Sequence, residues 1–365
     1  MIPMLDLKLQ HAMLREEIDA AISGVLESTQ FIQGTNVREF EAEAADYLGV
    51  RHAVSCNSGS DALHLALRAC DIGAGDEVIT TPFSFAAAAE AIGHVGATAV
   101  FVDIDPVTFN ITAQSIEPAI TERTRAILPV HLFGQVADMD AICRLAARHE
   151  LLVIEDCAQS FGARSNGKPT GSLGHAGCFS FFPSKNLGGY GDGGLLTTDS
   201  EELAERFSLL KNHGSATRNS HQVLGWNSRL DELQAAVLRV KLRHLDAFNR
   251  QRIDAAGRYT RMLSALPVQT PQAANDLSHV FHQYTILSPK RDAIIERLQQ
   301  AQIGHAVYYP QSLASQQAFS GISRSLELHH TDAVCQQCLS LPMFPEISEA
   351  QIETVVSTIQ KAHGG

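Results

Sequence analysis

From about residue 50 to 200, short runs of aliphatic and β-branched residues alternate with amphipathic stretches. The runs are EVITT, TAVFVDID, RAILPVHL, LLVIED and LLTTD, with segments such as AAAAEAIGHVG and DMDAICRLAARHE between them. Short apolar runs predict buried strands, and helical periodicity between them predicts covering helices. Alternation in this order predicts an α/β fold in which a mostly parallel central sheet is flanked by helices on both faces. Ligands of such sheets gather at the carboxyl ends of the strands.

Beyond Asn227-Ser228-Arg229-Leu230-Asp231, the stretch from Glu232 to Leu266 reads as one long helix that breaks near Pro267 and Pro271. A smaller α+β unit follows: HQYTILSP as a strand, RDAIIERLQQAQ as a helix, GHAVYYP as a strand and a last helix from about Glu349. The boundary falls inside the long helix, giving a large domain over 1–245 and a small C-terminal domain over 246–365. No fixed-period repeat and no low-complexity linker interrupts the chain.

Composition narrows the function. A chain of 365 residues that is 45% hydrophobic can bury a sizeable core. Its formal charge of −12, with no long Lys/Arg run, speaks against a nucleic-acid scaffold, so any phosphate must be held locally. The N-terminus carries no basic segment leading into an apolar one, and no apolar run approaches the ~18 residues a membrane span needs. Seven scattered cysteines do not form a disulfide framework and fit a reducing compartment, so the expected location is cytoplasmic, with no membrane partner. Cys335 and Cys338 have CxxC spacing but no second ligand pair, and read as small apolar positions on one helix rather than as a metal or redox site.

The chemistry concentrates where strands end. Glu155 and Asp156 close LLVIED, and because neighbouring side chains on a strand point to opposite faces, at most one of them looks into a cleft. In Ser55-Cys56-Asn57-Ser58-Gly59-Ser60-Asp61, small polar residues lead into the helical pattern DALHLALRAC. The backbone N–H groups of Gly59 and Ser60 would thus face an anion, although Ser and Asp are also ordinary N-caps.

The run FSFFPSKNLGGYGDGG places Lys185 between aromatics and glycines. Gly189 to Gly194 match GxGxxG literally, but a strand follows instead of a helix, which argues against a dinucleotide fold. The glycines instead predict tight turns and close approach to a bound group. An amine among apolar and small neighbours loses solvation, shifts toward its neutral form and becomes nucleophilic. A desolvated lysine, a strand-end acid and a phosphate cup together suit pyridoxal 5'-phosphate, which offers an aldehyde, a ring nitrogen and a phosphate.

The motifs SGSDAL, VDIDPVTFN, PVHLFGQ, EDCAQSFGA, FSFFPSKNLGGYGDGG, NHG, NSRLDELQAAVL and SLPMFP resemble, in order and over essentially the whole chain, those of the DegT/StrS-type nucleotide-sugar aminotransferases. The resemblance implies fold type I of the pyridoxal-phosphate enzymes and assigns residues. Lys185 would hold the cofactor as a Schiff base, and Asp156 would pair with its ring nitrogen. Gln159 would lie near the ring oxygen. Gly59, Ser60 and Ser180 would hold the phosphate, joined by Asn227 of a neighbouring subunit. Phe85 would stack on the ring, with Phe83 as the alternative. Arg229 would reach substrate across a homodimer with shared active sites, and Tyr308 stands where many relatives carry a substrate-binding histidine. Retention of Lys185 separates the chain from related sugar dehydrases that carry histidine there.

The implied reaction transfers the amino group of L-glutamate to a keto sugar on a nucleotide diphosphate, giving an amino sugar for surface glycan or related biosynthesis. Asp61 in SGSDAL is similar to members acting on 3-keto sugars, while 4-keto enzymes more often read SGTAAL, so the resemblance implies a 3-keto acceptor and a 3-amino sugar product, with a 4-keto acceptor as the alternative; Asp61 also suits a helix N-terminus on electrostatic grounds alone. A cofactor-free regulatory protein on the same fold and an NAD(P)-linked enzyme are the competing classes.

Overall fold

The computed structural model describes residues 1–217, 219–273 and 278–363. Its centre is an eight-stranded sheet built from β1 (His52–Cys56), β2 (Glu77–Thr80), β3 (Thr98–Phe101), β4 (Thr124–Leu128), β5 (Leu152–Asp156), β6 (Ala176–Ser180), β7 (Gly194–Thr198) and β8 (Ser323–Ser325). The strand order is β1-β7-β6-β5-β4-β2-β3-β8. Pairing is parallel from β6 through β5, β4, β2 and β3 to β8, whereas β7 runs antiparallel to both β6 and β1. The LLTTD run therefore enters the sheet reversed, which brings the glycine loop before it to the same edge as the carboxyl ends of its neighbours. β2 and β7 are buried along their whole length, as strands covered on both faces must be.

Local chemistry starts the helices where the sheet needs them. Ser58 caps helix Gly59–Ala69 by accepting a hydrogen bond from Asp61 N at 3.1 Å, directly after β1. Asp138 and Ser200 cap helices Met139–Arg148 and Glu201–Lys211 in the same way. Helix Leu7–Ser28, which the periodicity reading passed over, buries Leu14 and Ile18 against Val237, Val240 and Phe248.

Three local expectations are corrected. The long helix is two, Glu232–Leu242 and Leu245–Leu263, parted at Arg243 and His244, whose side chains both turn out to Glu17. GHAVYYP forms no strand: it meets the free edge of strand Cys338–Leu341, whose other edge pairs with Tyr284–Leu287, at the single bridge between Ala306 and Ser340. Cys338 opens that last strand, so it does not share helix His329–Gln337 with Cys335.

Two main cores result. The larger lies on the sheet; the second gathers Tyr259, Tyr284, Ile294, Phe344 and Val355 between helix Leu245–Leu263 and the last helix, Glu349–His363. The chain crosses between them more than once. Ile2 packs into the second core, while Leu313, Phe319 and Val334 return to the first. β8 is fastened there by a buried carboxylate: Glu77, 1% exposed, accepts two hydrogen bonds from Arg324 at 2.8 and 3.1 Å, one from Arg123 at 2.6 Å and one from Thr121 at 2.7 Å.

These partners, Arg324 first, hold the Glu77 carboxyl down at about 2 from its ordinary 4.5. Because the folded value is depressed, the stability it confers is full above pH 4.5 and is lost as pH falls through about 2. Glu77→Gln should cost about 1–3 kcal/mol at pH 7 in chemical denaturation, and its gap to wild type should narrow below the ordinary carboxylate range. An equal gap at neutral and strongly acid pH would contradict this account.

Candidate active site

A cavity of about 430 Å³ opens at the carboxyl edge of the sheet. Gly59, Ser60, Phe85, Asp156, Gln159, Ser180, Lys185 and Tyr308 all line it, so eight positions singled out in the sequence converge on one space. Asn227 and Arg229 do not line it. Asn227 is exposed and bridges Asn212, and Arg229 donates to the Asn212 side chain at 3.4 Å.

The two acids ending β5 divide as alternation requires. Glu155 is fully buried away from the cavity and accepts from Leu173 N and Gly174 N at 2.8 Å, Gly171 N at 3.0 Å and His131 Nε2 at 2.9 Å. His131 Nδ1 accepts from Ala137 N, so its Nε2 carries the proton given to Glu155. Although His131, Glu155 and Cys157 cluster closely enough to suggest a metal site, these bonds occupy the carboxylate and both ring nitrogens. Asp156 faces the cavity instead, accepting from Ala158 N at 3.0 Å. Burial pushes its carboxyl upward, opposed by that N–H and by the nearby Lys185 amine.

Lys185 follows β6 in a loop whose form comes from its own backbone and glycines. Its N–H donates to Phe182 O at 2.8 Å, and Asn186 Nδ2 donates to Asn249 Oδ1 at 2.7 Å and to Val280 O at 3.1 Å. None of Gly188, Gly189, Gly191, Gly193 or Gly194 has a positive φ. They are needed for close approach: a Cβ on Gly188 would lie 2.4 Å from Pro183 O, and one on Gly194 would lie 2.3 Å from Ser58 O. The expected close approach to a bound group is thus replaced by packing within the protein. Burial draws the Lys185 amine down from 10.5 to about 8, with Asp156 pulling the other way.

Next to the lysine, Gly59 opens its helix against β6. A Cβ there would sit 2.6 Å from Ser180 Cβ, so only glycine lets the first helical turn meet the Ser180 hydroxyl. The first-turn N–H groups of Gly59 and Ser60 lie beyond any intrahelical acceptor and form an anion cup with that hydroxyl. Gln159 is locked by accepting from Phe133 N at 2.6 Å and donating to Tyr309 Oη at 3.4 Å.

Of the two phenylalanines, Phe85 lines the cavity and is 61% exposed, whereas Phe83 is buried against Phe109, Phe133 and Tyr309. Asp61 is absent from the lining; it accepts from Ser228 Oγ at 2.6 Å. The lining residues that sequence reasoning missed include Ser84, Asp192, His282, Gln283 and Tyr309. His282 is 6% exposed with Nδ1 unpaired, and nothing in its local sequence marks it, because its place is set by contacts between distant parts of the chain.

The DegT/DnrJ/EryC1/StrS aminotransferase family model matches residues 12–360. The chain is 49% identical to UDP-N-acetyl-3-dehydro-alpha-D-glucosamine 3-aminotransferase of Acidithiobacillus ferrooxidans over 364 residues, covering 100% of this chain and 98% of that protein. It is also 49% identical to a "Pleiotropic regulatory protein" of Geobacillus stearothermophilus over 362 residues, 98% of this chain and 97% of that one. Among solved structures, DesV of S. venezuelae in complex with a ketimine intermediate superimposes with a TM-score of 0.97 at 42% identity, covering 100% of this chain and 99% of that one.

In cofactor-free protein, labelling of Lys185 by an amine-reactive reagent, followed by peptide mass, should rise with a midpoint near pH 8, and Asp156→Asn should move it lower. A midpoint near 10.5 would sink the assignment of a desolvated amine. Phe83→Ala should destabilise by about 3–5 kcal/mol, while Phe85→Ala should stay within about 0.5 kcal/mol in thermal unfolding and weaken ligand binding instead.

Proposed function

As this chain belongs to the DegT/DnrJ/EryC1/StrS aminotransferase family and is a pyridoxal-phosphate-dependent sugar transaminase, we propose that it moves the amino group of L-glutamate to the C3 ketone of a sugar carried on a nucleotide diphosphate, giving a 3-amino sugar for glycan or related biosynthesis. The observation carrying this reading is Lys185 and Asp156 meeting in one cavity, one amine and one carboxylate both drawn out of water. The C3 position rests on the relatives aminating that carbon, the A. ferrooxidans protein among them. Asp61, bonded to Ser228, supplies no direct contact to support it.

The residues fit the cofactor. The Gly59, Ser60 and Ser180 cup would hold its phosphate, Asp156 its ring nitrogen and Gln159 its ring oxygen, with Phe85 against its face and Tyr308 toward the sugar. When bound, pyridoxal phosphate supplies an electron sink for the carbanion formed on transfer of the amino group. Asp156 contributes by keeping a proton on its partner nitrogen, since a buried carboxylate needs a positive partner. Lys185, once free, is the base held over the cavity; an amine tuned to about 8 can both take and return a proton near neutral pH.

Asn227 and Arg229 lie off the cavity of their own chain, which agrees with their serving a partner's cavity in a homodimer. All seven cysteines are free, as suits a cytoplasmic enzyme. The regulatory name of the Geobacillus relative favours a second reading, a non-catalytic protein on this fold. Such a protein would need neither the desolvated amine nor the facing acid.

Offered a panel of 3- and 4-keto nucleotide sugars with glutamate, the enzyme should place nitrogen at carbon three, read by NMR, and Lys185→Ala should abolish turnover. Amination at carbon four alone would overturn the regiochemistry; no amination by wild type would favour the regulatory reading. Sedimentation should show a dimer at assay concentration, and full turnover by a monomeric form would refute the shared site.

A further inference from the structure

Lys241 has no place in the chemistry above, yet it is 3% exposed. From helix Glu232–Leu242 its Nζ donates to Gly188 O at 2.6 Å and lies 5.3 Å from the centre of the Tyr190 ring. Gly188 is three residues past Lys185, and it packs so tightly on Pro183 that the two flanks of the lysine touch. A loop so rich in glycine has little side-chain packing of its own, so its position depends on such attachments. Asn186 supplies one, Gln234 another by accepting from Tyr190 N at 2.7 Å, and Lys241 a third.

Around Lys241 lie two more buried charges, both from the second half of the chain. Arg252, 4% exposed, donates to Met343 O at 3.1 Å and to Phe281 O at 3.4 Å, and its Nε is unpaired. Both carboxylate oxygens of Glu346 are buried without a hydrogen-bond partner. Glu346 attracts Lys241 and Arg252, while Asp6 faces Glu346 from the N-terminal segment. Buried, incompletely bonded ions are costly, and an apolar residue in place of Lys241 would avoid that cost.

We propose that Lys241 is a positioning residue for the reaction at Lys185, acting through the Gly188 carbonyl, with Glu346 as its buried counter-charge. The inference rests on Lys185 being the working amine. The Lys241 amine is lowered to about 8, chiefly by burial, with Glu346 opposing and Arg252 adding to the shift, so removing Glu346 moves its deprotonation to lower pH.

Hydrogen–deuterium exchange on the cofactor-free protein tests it. In Lys241→Met, the amides of residues 181–190 should exchange roughly tenfold faster or more, with those of β4 and β5 unchanged. In Glu346→Gln, after correction for intrinsic rates, loosening of the same segment should set in at lower pH than in wild type. In loaded enzyme, Lys241→Met should lower kcat about tenfold with KM for the keto sugar within about twofold, as misplacement of a reacting group would. Unchanged exchange in 181–190, or an equal rise in β4 and β5, would overturn the positioning role. Because exchange is read without cofactor, it fails independently of the Lys185 assignment, which the labelling of that residue tests.

Discussion

An amine and a carboxylate share a space from which most water is excluded, and the remainder of the molecule is arranged around that constraint. Burial shifts Lys185 toward its neutral form and Asp156 toward its protonated form; facing each other, each opposes the effect of burial on the other. Neither tendency is extinguished. The amine is left near 8, within reach of neutral form at working pH, and the acid keeps a use for a positive partner. A ligand that brings an aldehyde to one and a basic nitrogen to the other meets both needs in one binding event.

Holding two such groups in register requires a stiff platform, and the sheet supplies it. β5 and β6 are adjacent and parallel, so Asp156 and Ser180 emerge at one edge, and reversal of β7 returns the glycine loop to that edge. The helix capped by Ser58 starts there as well, so first-turn N–H donors suited to an anion lie at the same edge. The glycines serve the same stiffness: they let backbone press against Pro183, Ser58 and Ser180 more closely than any side chain would allow. In this loop, glycine content marks dense packing rather than freedom.

Residues from the C-terminal third of the chain complete the space. His282, Gln283, Tyr308 and Tyr309 line the cavity, and Asn186 anchors the lysine loop to Asn249 and Val280. Lys241, Arg252 and Glu346 lie beneath the same junction, so the loop bearing the amine is attached to both cores.

Much of this was legible in the residue order because it is local. β-branched runs located β2, β3, β4, β5 and β7 but not β1, β6 or β8, and pleat alternation required Glu155 and Asp156 to face opposite ways. The apolar flanks of Lys185 foretold its lost solvation. Motif order carried the cofactor and the family. What periodicity could not decide were pairings between distant segments: the reversal of β7, the addition of Ser323–Ser325 to the far sheet edge, the break at Arg243 and His244, and the failure of GHAVYYP to pair. The choice of Phe85 over Phe83, the orphaned ring of His282 and the bond from Lys241 to Gly188 belong to the same class. Each depends on which surface another part of the chain covers, and burial of that kind is created only when the chain closes on itself.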